Sequence, residues 1–249
     1  MAGIIVELII SWLLLWFICR KHLFVLGFRP TKDNATNLCI GLLIAAACCT
    51  LYQLMTVAFS NNSWTLNKQV TAKAVWESSK WTFVSVLYEE LIFRGTLLYI
   101  AIRKIGVSKA CMLSAVCFGI YHWFSYNVFG SPLMMVITFL MTALVGLSWA
   151  FAFAKTGSLY LPTGLHFGWN FFSLVVFSNG NFGQAIFIKA NENQPQGVLS
   201  WFVFLVQVFA LPILSFWYLK WFSTKQEVPV DNEQQQLSSA LQQAMKTEE

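Results

Sequence analysis

Two adjacent glutamates and an arginine lie inside one apolar stretch of the sequence. Arg94 follows Glu90 by four residues, and Glu89 comes directly before Glu90. Residues four apart share one face of a helix, so Glu90 and Arg94 can form an internal ion pair. Glu89 points about 100° away from Glu90 around the helix axis and lacks that partner. The spacing therefore predicts that Glu90 and Arg94 support the structure, whereas Glu89 is available for chemistry.

Two histidines lie in other apolar stretches, each four residues from a second notable side chain. His122 follows Phe118, and His166 precedes Asn170. A free carboxylate near a histidine can activate a water molecule, while a second histidine and an amide can stabilise the oxyanion of an attacked carbonyl. Such a hydrolase needs no serine or cysteine nucleophile. Its candidate catalytic residues are Glu89, His122, His166 and Asn170.

The same side chains also suit a metal ion. Two histidines and one carboxylate with an open coordination position are typical of catalytic zinc. Glu89, His122 and His166 are therefore candidate ligands of a divalent metal such as zinc. The sequence contains no H-E-x-x-H motif. It is compatible with an attacking water bound to a metal and with one activated by a glutamate alone. No other cofactor is indicated.

The elements that must position these residues are membrane helices. Of the 249 residues, 57% are hydrophobic and only 11% are charged, whereas soluble domains have about 25% charged residues. Apolar runs of about twenty residues recur along the chain, as transmembrane helices require. We predict an all-α fold, a polytopic transmembrane bundle of about seven helices, with six to eight compatible with the pattern. The predicted spans are 3–19, 37–60, 81–102, 110–130, 132–154, 158–179 and 197–222.

The connections between these spans are short, which predicts one transmembrane domain over residues 1–222. Residues 223–249 are polar and rich in glutamine, and we predict that they form a polar tail. The six cysteines lie within or beside apolar segments without a C-x-x-C motif. We interpret them as small residues of the helix interfaces.

Lysine and arginine are distributed unevenly between alternate connections, with eleven on one side and four on the other. Such an excess marks the cytoplasmic side of most membranes. The protein is thus expected to be a multi-pass protein of a bacterial inner membrane or an equivalent membrane, with its N-terminus outside and its C-terminus in the cytoplasm. The eleven are Arg20, Lys21, Arg29, Lys32, Arg103, Lys104, Lys109, Lys155, Lys220, Lys225 and Lys246, and the four are Lys68, Lys73, Lys80 and Lys189.

Counting residues from the cytoplasmic ends of the predicted spans gives the depth of the candidate site. At about 1.5 Å per helical residue, the two histidines, Glu89 and Arg94 lie roughly 12–21 Å from those ends. All four can therefore meet in the cytoplasmic half of the membrane or near its midplane. We expect one site that faces the cytoplasm.

Together the motifs resemble those of a known family. Glu89-Glu90-x-x-x-Arg94, Phe118-x-x-x-His122 and His166-x-x-x-Asn170 are similar to the motifs of the CAAX protease and bacteriocin-processing family (CPBP, or Abi), which comprises intramembrane endopeptidases related to the type II CAAX prenyl endopeptidase. The similar region is a core of about residues 81–179.

This resemblance implies a role for each residue of the motifs. Glu89 would be the general base that acts on water together with His122, and His166 and Asn170 would line the oxyanion hole. Glu90 and Arg94 would support the site through their ion pair. The substrate would be a prenylated or membrane-associated peptide or protein. The family has been described both as metalloproteases and as glutamate-dependent enzymes, so the resemblance leaves the metal question open.

Two other functions use the same residues. The protein could be a non-catalytic membrane scaffold or bacteriocin-immunity protein that binds a peptide. Less favoured is a proton-coupled transporter with a relay of acids and histidines, because the sequence shows no internal repeat. The expected partners are a peptide substrate and the lipid bilayer. Nucleic acid is not expected, because no dense run of lysine and arginine is interleaved with aromatic residues.

Overall fold

The computed structural model describes residues 2–178, 185–222 and 228. These residues are predominantly helical, which confirms the all-α fold class. Two α-helices continue into a π-helical turn, α1 through Leu15–Cys19 and α7 through Phe172–Val176. The α-helices are α1 (Ala2–Leu14), α2 (Lys32–Ala58), α3 (Ala72–Arg94), α4 (Thr96–Ile105), α5 (Val107–Ser125), α6 (Pro132–Thr156), α7 (Tyr160–Phe171) and α8 (Gly197–Trp221).

Three of the described helices, α2, α6 and α8, are long and apolar enough to cross a membrane, and Gly3–Cys19 is a shorter apolar helix. Their surfaces carry many exposed large hydrophobic side chains, as expected where lipid is the solvent. The protein is therefore integral to a membrane. The number of seven spans stays a prediction.

The predicted span 81–102 is wrong as a single helix. α3 ends at Arg94, and α4 begins at Thr96, after Gly95 with φ −82° and ψ −129°. A Cβ atom at Gly95 would overlap the carbonyl oxygen of Leu91, so glycine allows the break. The predicted span 110–130 is also too long, because α5 ends at Ser125.

Local signals explain where several helices begin and end. The side chains of Thr31 and Thr71 accept hydrogen bonds from backbone N–H groups in the first turns of α2 and α3, which satisfies donors that helices leave unpaired. Pro132 is the first residue of α6, and Gly157 ends it with a positive φ of 60°. Proline and glycine favour these two positions respectively.

A small two-stranded sheet joins distant parts of the chain. β1 (Trp64–Leu66) pairs antiparallel with β2 (Phe187–Lys189), with Trp64 opposite Lys189. The sequence analysis did not predict it, because three-residue strands are too short to show an alternating pattern. The sheet places the end of α2 and the start of α8 at the same end of the bundle, which we call the strand end.

At the opposite end, other connections meet. The backbone N–H of Leu159 donates to the carbonyl of Leu26 at 3.2 Å, and both side chains share a buried cluster with Ile102 and Ala110. Connections 20–31, 103–109 and 155–159 therefore lie together. We call this the basic end, because these connections contain most of the eleven basic residues named above.

The predicted tail, 223–249, lies outside the described residues except for Val228. Val228 is buried in the cluster at the basic end, and its N–H donates to the carbonyl of Ala154 at 3.1 Å. The division into one domain over 1–222 and a tail stays a prediction.

Helices α2 and α7 approach each other closely through glycines. Cβ atoms added at Gly41 and Gly164 would lie 2.8 Å from the carbonyl oxygen of Leu161 and 2.5 Å from that of Leu38, respectively. Small residues let helix backbones come together in membranes, where van der Waals packing drives association. This contact fixes α7, and with it His166, against the rest of the bundle.

Replacing Gly164 tests this contact. In Gly164→Ala, the new methyl group would force α2 and α7 apart, which should cost about 1–3 kcal/mol of stability. We expect a lower midpoint of thermal denaturation in detergent. Gly3→Ala is the control, because a Cβ atom there would lie at an ordinary 3.7 Å from Tyr88. Equal midpoints for the two variants would contradict the role of the close contact.

Candidate active site

The Glu90 carboxylate is the centre of a buried polar network. Its Oε1 atom lies 3.1 Å from an Arg94 guanidinium nitrogen and 2.8 Å from His166 Nδ1, and all three side chains are almost completely buried. The i,i+4 spacing on α3 brings Arg94 to Glu90, as the sequence predicts. The contact with His166 comes from α7 and was not predicted. One carboxylate oxygen therefore ties α3 to α7.

Arg94 is held by aromatic rings as well as by Glu90. Its guanidinium carbon lies 3.9 Å from the centroid of the Phe118 ring and 5.2 Å from that of Trp149. A second guanidinium nitrogen donates to the carbonyl of Gly146 at 3.3 Å. A Cβ atom at Gly146 would lie 2.8 Å from the Phe118 ring, so this glycine makes room for the ring beside Arg94. These contacts stabilise a cation in a site without solvent.

Glu89 is placed differently from its neighbour. Its side chain is 13% exposed, against 0% for Glu90, and it lines an internal cavity of about 490 Å³. Glu89 Oε2 lies 3.8 Å from His166 Nε2 and makes no hydrogen bond within the described part of the chain. The two nitrogens of His166 thus face one glutamate each. Glu89 is the carboxylate that a molecule in the cavity can reach.

His122 lines the same cavity from α5. Its Nδ1 atom lies 2.8 Å from the carbonyl oxygen of Phe118. Because a carbonyl can only accept, Nδ1 must carry the proton, and the neutral ring then presents a lone pair at Nε2. No hydrogen bond or ion pair joins His122 to Glu89 among the residues that the structure describes. The two side chains can cooperate only through a molecule between them.

Asn170 is one helical turn beyond His166 on α7 and also lines the cavity. The structure therefore brings all four candidate catalytic residues to one cavity, with Glu90 and Arg94 beneath it.

Sequence reasoning missed Trp149, whose ring stacks on His166 with centroids 4.2 Å apart, and Gln207 of α8, which lines the wall. Neither residue is charged or belongs to a spaced motif, so the sequence contains no signal that identifies it as part of the site.

The arrangement gives little support to a metal centre built from Glu89, His122 and His166. Among the described residues, no group of three histidine, cysteine, aspartate or glutamate side chains is placed to hold a metal ion. The contact of Glu90 with His166 Nδ1 leaves Nε2 directed toward Glu89. Whether a metal ion takes part stays an open prediction, and the mechanism proposed below is the glutamate-activated one.

Near α5 the cavity is lined by residues between Phe118 and Tyr126, which lie toward the strand end. That the site faces the cytoplasm stays a prediction. Because α5 ends at Ser125, His122 is three residues from that end of the helix, not eight as the predicted span implied. The cavity extends from the Glu90 network toward the strand end.

A membrane-integral helical bundle in which carboxylates and histidines from three helices meet at an internal cavity is typical of intramembrane enzymes. Residues 71–172, about two fifths of the chain, match the family model described as Rce1-like, type II CAAX prenyl endopeptidase. This match confirms the resemblance predicted from the motifs. No curated protein and no solved structure matches the chain.

The two glutamates should respond differently to loss of charge. Glu90→Gln or Arg94→Leu leaves a buried charge without its partner, which typically costs about 3–5 kcal/mol. We expect both variants to give less folded protein and lower thermal midpoints in detergent. Glu89→Gln should give a normal yield, because Glu89 has no ion pair with Arg94. An equal loss of yield in all three variants would contradict this division.

The double variant Glu90→Gln with Arg94→Leu serves as the control for the ion pair. It removes both charges, so its destabilisation should be smaller than the sum of the two single losses. Additive losses would show that the two side chains do not stabilise each other.

Proposed function

We propose that this protein is an intramembrane endopeptidase that hydrolyses a peptide bond with a water molecule activated by Glu89. The observation that carries the proposal is the contrast between the two adjacent glutamates. Arg94 and His166 both bind Oε1 of the buried Glu90, whereas Glu89 lines the cavity without a hydrogen bond among the described residues. A carboxylate in that position can act as a general base. The match of residues 71–172 to the family model of type II CAAX prenyl endopeptidases supports this chemistry.

Glu89 and His122 would together hold the attacking water. The lone pair at Nε2 of His122 can accept one hydrogen bond from the water, while Glu89 accepts the proton that the water loses. The resulting hydroxide attacks the carbonyl carbon of the substrate. Glu89, now protonated, then gives its proton to the nitrogen of the leaving amine, which restores the carboxylate.

Asn170 and His166 would stabilise the tetrahedral intermediate. The Asn170 amide is a donor at any pH, and His166 donates from Nε2 when that atom carries a proton. Donors fixed before the reaction stabilise a developing oxyanion without reorganisation. Glu90 fixes the His166 ring through Nδ1, and Trp149 holds its plane by stacking. Glu90 and Trp149 are thus positioning residues in this mechanism.

The cavity walls indicate what can enter. Beside Glu89 and the two histidines, they consist of aromatic, aliphatic, hydroxyl and amide side chains, including Trp169, Thr142 and Gln207. No lysine or arginine lines this cavity in the described residues. Charged substrate side chains would lose their hydration there without a compensating partner. We therefore propose an uncharged segment of a prenylated or otherwise membrane-associated peptide as the substrate.

Removal of the proposed base should slow cleavage severely. Purified wild type and Glu89→Gln would each be incubated in detergent with a mixture of membrane-associated peptides that includes prenylated C-terminal tails. Mass spectrometry would detect the fragments. We expect wild type to cleave about 10²–10⁴-fold faster than Glu89→Gln, the usual contribution of a general base. Glu7→Gln is the matched control, because Glu7 is another carboxylate of an apolar helix but lies outside the cavity.

Three outcomes would contradict this mechanism. Turnover by Glu89→Gln close to that of wild type would remove Glu89 from the chemistry. Peptide binding without cleavage by either protein would favour the scaffold or immunity function. Loss of wild-type activity on addition of a chelator, with recovery on addition of zinc, would show that a metal takes part.

Asn170 should affect turnover more than binding. We expect Asn170→Ala to lower kcat by about 10²–10³-fold, the usual effect of losing one oxyanion donor, with little change in KM. Asn170→Asp preserves the shape of the side chain but replaces the amide donor by an acceptor. We expect its kcat to fall as far as that of Asn170→Ala. If Asn170→Asp retained wild-type kcat, Asn170 would be a packing residue only.

A further inference from the structure

α1 carries one carboxyl group that the candidate active site does not use. Glu7 is the only aspartate, glutamate, lysine or arginine between Ala2 and Cys19. Both oxygens of its carboxyl group are buried, and neither has a hydrogen-bond partner among the residues that the structure describes. This is unfavourable in either protonation state, because the ionised group lacks a countercharge and the protonated group lacks hydrogen bonds. Glu7 therefore points to a partner from outside the described part of the chain.

Glu7 lines a cavity between α1, α3 and α4 that has a volume of about 380 Å³. We call this cavity the α1 groove. Its walls include Gly3, Ser11 and Leu14 of α1, Tyr88 and Leu91 of α3, and Leu97 of α4. Within the described residues, no lysine, arginine or histidine lines the groove, and no lining residue is shared with the cavity beside Glu89. The α1 groove is thus a separate site in which Glu7 has no cationic neighbour.

The groove opens sideways to the surroundings of the bundle. Side chains on its rims are exposed on all three helices, by 55% for Val6, 42% for Tyr88 and 56% for Leu97. In a membrane-integral protein, exposed apolar surface of this kind contacts lipid. A molecule can therefore enter the groove laterally from the bilayer, without passing through the cavity beside Glu89.

The position of Glu7 along α1 sets the depth of its carboxyl group. The apolar stretch of this helix is Gly3–Cys19, and Glu7 lies four residues from its start, which is about 6 Å at 1.5 Å per residue. A group at that depth lies close to the level of the lipid headgroups. Ile10, Leu14 and Leu97 continue the groove away from it with apolar walls. The groove thus has one polar end near the headgroups and an apolar remainder.

These features match an amphiphile that carries a cationic amine. A protonated primary amine has one positive charge and three N–H donors, so it can satisfy both oxygens of Glu7. A transmembrane helix of a partner protein fits less well. An α-helix with its side chains is about 10–12 Å wide, so that one turn occupies more than the volume of the groove. A single acyl chain is narrow enough to lie between the three helices.

We propose that the α1 groove binds a membrane lipid whose headgroup carries a protonated primary amine. The amine binds the carboxylate of Glu7, and one acyl chain lies along Ile10, Leu14 and Leu97. This inference is independent of the proposed function, because the groove and the cavity beside Glu89 are lined by different residues. It can be tested without the cleavage of any peptide.

The first test compares three lipids with the same oleoyl chains. Phosphatidylethanolamine has a primary amine, phosphatidylcholine has a quaternary ammonium without N–H donors, and phosphatidylglycerol has no amine. Native mass spectrometry of the delipidated full chain in a neutral detergent would give their dissociation constants. We expect wild type to bind phosphatidylethanolamine at least about tenfold more tightly than either other lipid, because only its amine is both charged and a donor. Equal affinities for the three lipids would overturn the inference.

The second test removes the charge of Glu7. Glu7→Gln keeps the shape of the side chain, and we expect it to lose the preference for phosphatidylethanolamine. Its thermal midpoint without lipid should match that of wild type, because Glu7 has no partner to lose among the described residues. Glu77→Gln is the matched control, since Glu77 is an exposed carboxylate that pairs with Lys73 outside the groove. A preference that Glu7→Gln retains, or that both variants lose equally, would refute the role of Glu7.

The third test concerns the acyl chain and leaves Glu7 in place. Leu97→Trp narrows the groove from its exposed rim, so we expect the affinity for phosphatidylethanolamine to fall at least about tenfold while the thermal midpoint without lipid is unchanged. Ile5→Trp is the control, because Ile5 is 58% exposed on α1 but does not line the groove. Wild-type affinity in Leu97→Trp would show that the lipid binds elsewhere.

Discussion

The Glu90 carboxylate is the interaction on which the rest of the site depends. A carboxylate with 0% exposure inside a membrane protein is costly unless its charge is compensated. Arg94 and His166 provide this compensation from two different helices. Since Arg94 also reaches the carbonyl of Gly146 on α6, the network joins α3, α6 and α7. A single buried anion thus sets the relative positions of three helices that carry the functional side chains.

The network also explains how adjacent glutamates can serve different purposes. Consecutive residues of a helix point about 100° apart, so Glu90 faces the packed core while Glu89 faces the cavity. His166 lies between them, with one ring nitrogen toward each carboxylate. The same ring that Glu90 anchors is therefore held beside Glu89, the proposed general base. Neighbours in sequence can take different roles because the helix rotates their side chains into different environments.

Local patterns in the sequence were enough to predict the helical class, the Glu90–Arg94 pair and the residues that meet at the cavity. Each of these depends on spacing within one helix or on average hydropathy. The contact of Glu90 with His166 and the stacking of Trp149 depend on how helices pack, which no local pattern encodes. The break at Gly95 was missed because the apolar pattern continues across it, and glycine is common within membrane helices. The true end of α5 was missed for a similar reason, since the chain beyond Ser125 stays aromatic and apolar.

The true length of α5 places His122 three residues from the end of its helix. A hydrolase within a membrane needs water at its base, and hydroxyl and amide side chains such as Thr142, Ser173 and Gln207 give the cavity a polar path for water. Arg94 cannot share that path, since solvent beside it would weaken its attraction to Glu90. The rings of Phe118 and Trp149 separate the two regions. A cavity with polar walls beside Glu89 and a dry ion pair between Glu90 and Arg94 are therefore two requirements of the same proposed chemistry.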